Sequence, residues 1–126
     1  VPGTHGSTFG GNPLVSRAAC AVIDTIESEK LAERAGQLGA WLVEQFLLQL
    51  TDVSHVVEVR NAGLMIAIEL DAPCSELVSI AAEAGLIINV TGGNRIRLLP
   101  PLTLSDQEAL LLVDTLCPII KNWKTS

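Results

Sequence analysis

Across 126 residues, 14 acidic side chains outnumber 8 basic ones, giving a net charge of −6 with no cluster of Lys or Arg, so the electrostatic footprint of a nucleic-acid or anionic-membrane surface is missing. The length suits one domain with its own core, but 48% of the residues are hydrophobic, 17% are charged and Tyr is absent, which predicts an obligate covering partner or a longer parent chain. The apolar runs stop well short of the ~20 residues of a membrane span, no basic stretch precedes an apolar segment at the N-terminus, and the widely spaced Cys20, Cys74 and Cys117 predict buried thiols in a reducing cytoplasm and no metal site.

The first ten-residue segment with a clear local signal is His5, Gly6, Ser7, Thr8, Phe9, Gly10, Gly11, Asn12, Pro13, Leu14. Glycines on both sides of a Ser-Thr pair let the backbone turn and expose N–H groups beside two hydroxyls, as an anion loop requires; an ordinary Gly-rich turn uses the same residues. Asn12 and Pro13 read as the N-cap and first residue of a helix. That helix, to about residue 27, carries Leu14, Val15, Ala18, Ala19, Cys20, Ala21, Val22, Ile23 and Ile26 on nearly every side, so it is expected to be covered all round. A second helix runs to about residue 50, with Leu31, Ala35, Leu38, Leu42, Phe46 and Leu50 on one face and Glu29, Lys30, Glu33, Arg34 and Glu44 on a solvated one.

Between residues 53 and 70 the period changes to two: Val57 and Val59 alternate with Glu58 and Arg60, and Asn61, Ala62 and Gly63 turn the chain into a hairpin. His55 near the strand start has no evident partner. Pro73 is expected to open a short helix through Leu77, Ile80, Ala81 and Ala84 that Gly85 stops. Residues 86–90 and 95–99 form a second strand pair around Thr91, Gly92, Gly93 and Asn94. Ser105 and Glu108 make a capping box ahead of Leu112, Val113, Leu116, Ile120 and Trp123 on one helical face, and Pro118 is expected to kink that helix or end its regular part. Together these predict an α+β fold: an antiparallel sheet of about four strands with helices on one face, preceded by a long linking helix.

Candidate chemistry is sparse. Lys30 sits on a charged helix face and Lys121 and Lys124 in a polar tail, where nothing would desolvate them into nucleophiles. Arg95 and Arg97 share one strand face, opposite Ile96 and Leu98, and a guanidinium fork suits a carboxylate, although either arginine alone fits a solvated strand or a structural ion pair equally well. Asn89 on the preceding strand either faces such a site or is buried and bonded to backbone. His5 reads as a structural donor rather than an acid or base.

The segment 5–14 resembles, almost letter for letter, the stretch after the catalytic lysine in class III (ornithine-type) aminotransferases, which use pyridoxal phosphate. RNAGLMIAIEL at 60–70 is similar to the hairpin of that family, with Asn61 and Ala67 where glycine is usual, and GLIINVTGGNRIRLLPPL at 85–102 is similar to its late strand pair and double proline. The resemblance covers nearly the whole chain and is nearest to the acetylornithine aminotransferases. It implies the C-terminal portion of a fold-type I transferase, with residues 1–27 ending the large cofactor-binding domain and 28–126 forming the small domain. The catalytic lysine would lie upstream of Val1, leaving no catalytic residue in this chain. The resemblance further implies that Thr8, with Ser7 beside it, holds the phosphate of pyridoxal phosphate across a homodimer interface and that Arg97 binds a substrate carboxylate. Amino transfer would run from N-acetylornithine to 2-oxoglutarate in arginine biosynthesis, the isolated chain being inactive. Ornithine, succinylornithine and 4-aminobutyrate aminotransferases share the loop and the arginine, and a non-catalytic α+β binding module remains the alternative of another class.

Overall fold

The computed structural model describes Gly3 and residues 6–123, so His5 and Lys124 lie outside the described residues. In chain order the elements are α1 (Pro13–Ser28), α2 (Leu31–Leu50), β1 (Val56–Ala62), β2 (Met65–Leu70), α3 (Leu77–Glu83), β3 (Asn89–Thr91), β4 (Arg95–Leu98) and α4 (Asp106–Asn122). The strands make one antiparallel sheet in the order β1-β2-β4-β3, so the two expected hairpins meet along β2 and β4.

One face of the sheet is covered. Leu38, Leu42, Phe46 and Leu50 of α2 and Val113, Leu116 and Ile120 of α4 enclose Ile66, Ile68 and Leu70 of β2 with Ile96 and Leu98 of β4 in a single core. The helical spacing read from the sequence is the reason: residues three and four apart share a stripe, and the stripe of α2 is buried from Leu31 to Leu50. By contrast α1 buries nothing; Leu14 is 80% exposed and Val15, Val22 and Ile23 are more than half exposed. Its cover does not come from the described residues.

The tightest contact joins α2 to the first hairpin. A Cβ on Gly39 would stand 2.0 Å from the carbonyl oxygen of Gly63. Gly63, at φ +57°, is the first of two residues between the paired Ala62 and Met65, the position where a tight hairpin turn needs a positive φ. Asn61 donates from Nδ2 to Gly63 O at 2.9 Å, so the residue standing at a usual glycine pins the turn rather than loosening it.

Several sequence expectations are corrected. A bulge between Val56 and Glu58 makes Val57 an extra, exposed residue, so Val56 and Val59, not Val57 and Val59, pack inward. The third helix starts at Leu77 rather than Pro73, and ends as expected: Gly85, at φ +85°, donates to Ala82 O and Leu86 N donates to Ala81 O. That second bond occupies Leu86, and the strand begins only at Asn89. The last helix runs through Pro118 to Asn122 instead of ending there; Pro118 and Asp114, whose carbonyl loses its donor, are both exposed to water. Cys20 is exposed, and Cys74 is buried but in a loop, leaving only Cys117 both helical and buried. Arg34 is not a solvated charge: its Nη2 donates to Leu104 O at 2.8 Å and Asp106 Oδ1 at 2.9 Å, tying α2 to the start of α4. The Ser105–Glu108 capping box forms as expected.

The C-terminal end of α4 is stapled by residues that looked unconnected in the sequence. His55 donates through Nε2 to Ile120 O at 2.8 Å and meets the Trp123 ring edge-on at 5.2 Å, while Trp123 Nε1 donates to Glu76 at 2.6 Å.

Gly39→Ala is expected to cost about 1–3 kcal/mol or more from overpacking, more than the up to about 1 kcal/mol that alanine returns as a helix former. A thermal melt with no drop in Tm would show that α2 and the hairpin turn are not in contact. The Trp123 bond holds the Glu76 carboxyl below its usual 4.5. A depressed folded-state value gives stability that is present above 4.5 and lost as pH falls through the lower folded value. Glu76→Gln should therefore flatten the fall of Tm below pH 4.5, and an unaltered pH slope would discard this link.

Candidate functional site

At the N-terminal end the Gly-rich segment folds into a compact turn. Gly10 N donates to Ser7 Oγ at 3.0 Å, Asn12 Nδ2 donates to Phe9 O at 2.6 Å, and Val15 N donates to Asn12 Oδ1 at 3.0 Å, capping α1 as the sequence predicts. A Cβ on Gly10 would come within 3.1 Å of Ser7 Cβ, a tight approach that a larger residue would relieve only by a shift of Ser7. Ser7 uses Oγ as an acceptor and donates to no group among the described residues. Thr8 is exposed and has no hydrogen bond among the described residues. Both hydroxyls are exposed, and among the described residues neither has an ion-pairing cation beside it.

The second site is the uncovered face of the sheet. Because Ile96 and Leu98 are buried, Arg95 and Arg97 emerge on the other side. Strand register then builds two rows. One row sets Glu58, Glu69, Arg95 and Thr91 side by side across four strands; the next sets Arg60, Ala67, Arg97 and Asn89. Glu69 is the hub of the first row, receiving Arg60 Nη1 at 3.2 Å and Arg95 Nε at 3.0 Å, while Arg60 also donates to Glu58. The bond from Arg60 is the main reason that the Glu69 carboxyl lies below its usual value, with Arg95 adding to it, and the same bond raises Arg60.

Arg97 stands apart from this network. It is exposed, and among the described residues it has neither an ion pair nor a hydrogen bond. A shallow depression of about 290 Å³ lies over Ala67, bounded by Arg60, Thr91, Arg95 and Arg97. Asn89 is exposed opposite Arg97, not buried against backbone. Sequence reasoning singled out Arg97 but missed Arg60 and Glu69, because only the pairing of β1 with β2 and β2 with β4 brings their charges together. The one local hint was Glu58 and Arg60 two apart on a strand.

The two sites do not meet within this chain: the depression beside Arg97 includes neither Ser7 nor Thr8. Of the lysines described, Lys30 links α1 to α2 at φ +52° and Lys121 lies in the last turn of α4; both are exposed. A groove of about 620 Å³ between Pro73, Glu76, Pro118 and Trp123 holds one carboxylate that Trp123 already engages, and no nucleophile. Burial pushes the Cys117 thiol up to about 11 and raises Cys74, so neither is a thiolate near neutral pH.

Residues 1–120 match the family model described as Aminotransferase class-III. Acetylornithine aminotransferase 1 of Bordetella bronchiseptica is 51% identical over 98% of this chain, which spans 31% of that protein. Among solved structures, the acetylornithine aminotransferase of Elizabethkingia anophelis superposes at a TM-score of 0.85 with 38% identity, covering 98% of this chain and 32% of that one. The ornithine aminotransferase of Toxoplasma gondii superposes at 0.87 with 33% identity, covering 99% and 31%. The chain thus spans about a third of the length of the relatives it matches, and it belongs to the class III aminotransferase family.

Proposed function

We propose that this chain is the C-terminal third of a cytoplasmic, homodimeric pyridoxal-phosphate enzyme that moves an amino group from N-acetylornithine to 2-oxoglutarate in arginine biosynthesis. Residues 1–27 end its large domain and residues 28–126 form its small domain. The observation that carries the reading is Arg97: on a sheet face where Arg60 and Arg95 are engaged by Glu69, its guanidinium is uncommitted and opens onto a depression. Both oxo acid and amino acid carry a carboxylate, which a planar guanidinium holds with two parallel hydrogen bonds.

The N-terminal loop fits the phosphate of the cofactor in kind. A phosphate needs donors, and Thr8 with the free hydrogen of Ser7 supplies two, while the opposing charge must come from other residues. When bound, pyridoxal phosphate draws electrons from the carbon that carries the amino group. On this reading the chain contributes grip and orientation: Lys30 and Lys121 are exposed, no desolvated amine stands among the described residues, and the isolated chain is inactive. The bare apolar surface of α1 supports a piece of a larger fold over a free-standing binding module. Ornithine as donor is the second reading, supported by the superposition on ornithine aminotransferase.

In the full-length enzyme Arg97→Ala is expected to raise KM for 2-oxoglutarate roughly a hundredfold, equivalent to about 3 kcal/mol for a lost charge-assisted pair, with Arg97→Lys recovering only part of the loss. An unchanged KM would remove Arg97 from the site. Thr8→Val should weaken cofactor retention about tenfold, read from the cofactor absorbance after dialysis, whereas full retention would leave the loop an ordinary turn. Turnover compared between N-acetylornithine and ornithine decides the donor.

A further inference from the structure

Three guanidiniums share the open sheet face with two carboxylates, but the charges are not evenly paired. Glu69 holds Arg60 and Arg95, Glu58 shares the Nη1 of Arg60 with Glu69, and Arg97 is left over. Glu58 and Glu69 stand directly opposite each other across β1 and β2. Like charges at such a pair are destabilising, so the arrangement is tolerable only because the Arg60 side chain bridges them. A single Glu69 would satisfy Arg60 alone; its second contact, to Arg95, acts on the arginine next to Arg97.

Arg95 and Arg97 lie two residues apart on one strand face, which spaces them by roughly 6.5–7 Å along β4. Two free guanidiniums at that spacing would converge on a tetrahedral dianion such as phosphate, whereas one guanidinium fork matches one carboxylate. We propose that Glu69 sets the anion selectivity of this face: by holding Arg95 and Arg60 back, it leaves Arg97 as the sole free cation, so that the depression accepts a carboxylate and rejects phosphate dianions. Glu69 is a positioning residue here, acting through the two arginines and not by touching substrate. The inference rests on the reading of Arg97 as the carboxylate ligand.

The test uses the full-length enzyme with its cofactor saturating, and inorganic phosphate as the probe. Glu69→Gln is expected to lower the phosphate inhibition constant about tenfold, with inhibition competitive against 2-oxoglutarate and kcat changed far less than KM. The double variant Glu69→Gln with Arg95→Gln should return phosphate sensitivity to that of the unaltered enzyme, a rescue that a merely structural role of Glu69 would not produce. Glu69→Asp, one methylene shorter, keeps the charge and should fall between the two; it carries the same comparison should Glu69→Gln not fold. Unchanged phosphate inhibition in the folded Glu69 variants, or an increase that Arg95→Gln does not reverse, would overturn the inference while leaving Arg97 untouched. An Arg97→Ala enzyme with normal KM would instead overturn the reading beneath it.

Discussion

The sheet has one covered face, and that constraint decides what β4 can be. Its four residues, Arg95, Ile96, Arg97 and Leu98, alternate so that two enter the core and two leave it. A slip of one residue would press both guanidiniums into the apolar core and put Ile96 and Leu98 in water, exchanging buried apolar area for unpaired buried charge. The register is pinned at its open end by Asn94, whose side chain donates to Leu70 O while its carbonyl accepts from Leu70 N. At the other end of the sheet the Gly39–Gly63 contact fixes how closely α2 can lie on the first hairpin. The outward direction of Arg97 is thus a consequence of packing on the opposite face.

Charge on that face follows local pairing, not the balance of the chain. The chain as a whole carries −6, yet the rows across the sheet leave a guanidinium in excess. Ion pairs as exposed as these add little stability. Their effect is directional: each carboxylate fixes where a long, flexible arginine spends its time, and an arginine already engaged is a poorer ligand for anything arriving from solution. Net charge had excluded nucleic acid and anionic membranes as partners, but it carried no information about a single small carboxylate.

What could be read in the sequence divides along the range of the interactions. The buried stripe of α2 from Leu31 to Leu50, the Ser105–Glu108 box, the Asn12 cap and the Gly85 stop all involve residues within a few positions of one another, and each is present. The bulge at Val57 was illegible because it exists only relative to the partner strand. Arg34 with Leu104, and His55 with Ile120 and Trp123, join residues 70 and 65 or more positions apart, and a helix-face count cannot see them. The same holds for the choice between the two arginines: alternation treats Arg95 and Arg97 alike, and only the arrival of Glu69 from a neighbouring strand separates them.

Neither part of the candidate site is sufficient as it stands, and the reason is electrostatic as well as geometric. A pair of hydroxyls can orient a phosphate but cannot neutralise it, and a lone arginine can hold a carboxylate at one end but cannot orient the rest of a substrate. The two parts open onto different regions of the chain, so each must be completed by surfaces from elsewhere. The helix between them is where those surfaces would dock: α1 joins the Ser-Thr loop to the small core, is apolar on nearly every side and buries none of it here. An uncovered helix of that composition is costly in water, and a surface that covered it would lie next to the loop at its N-terminus.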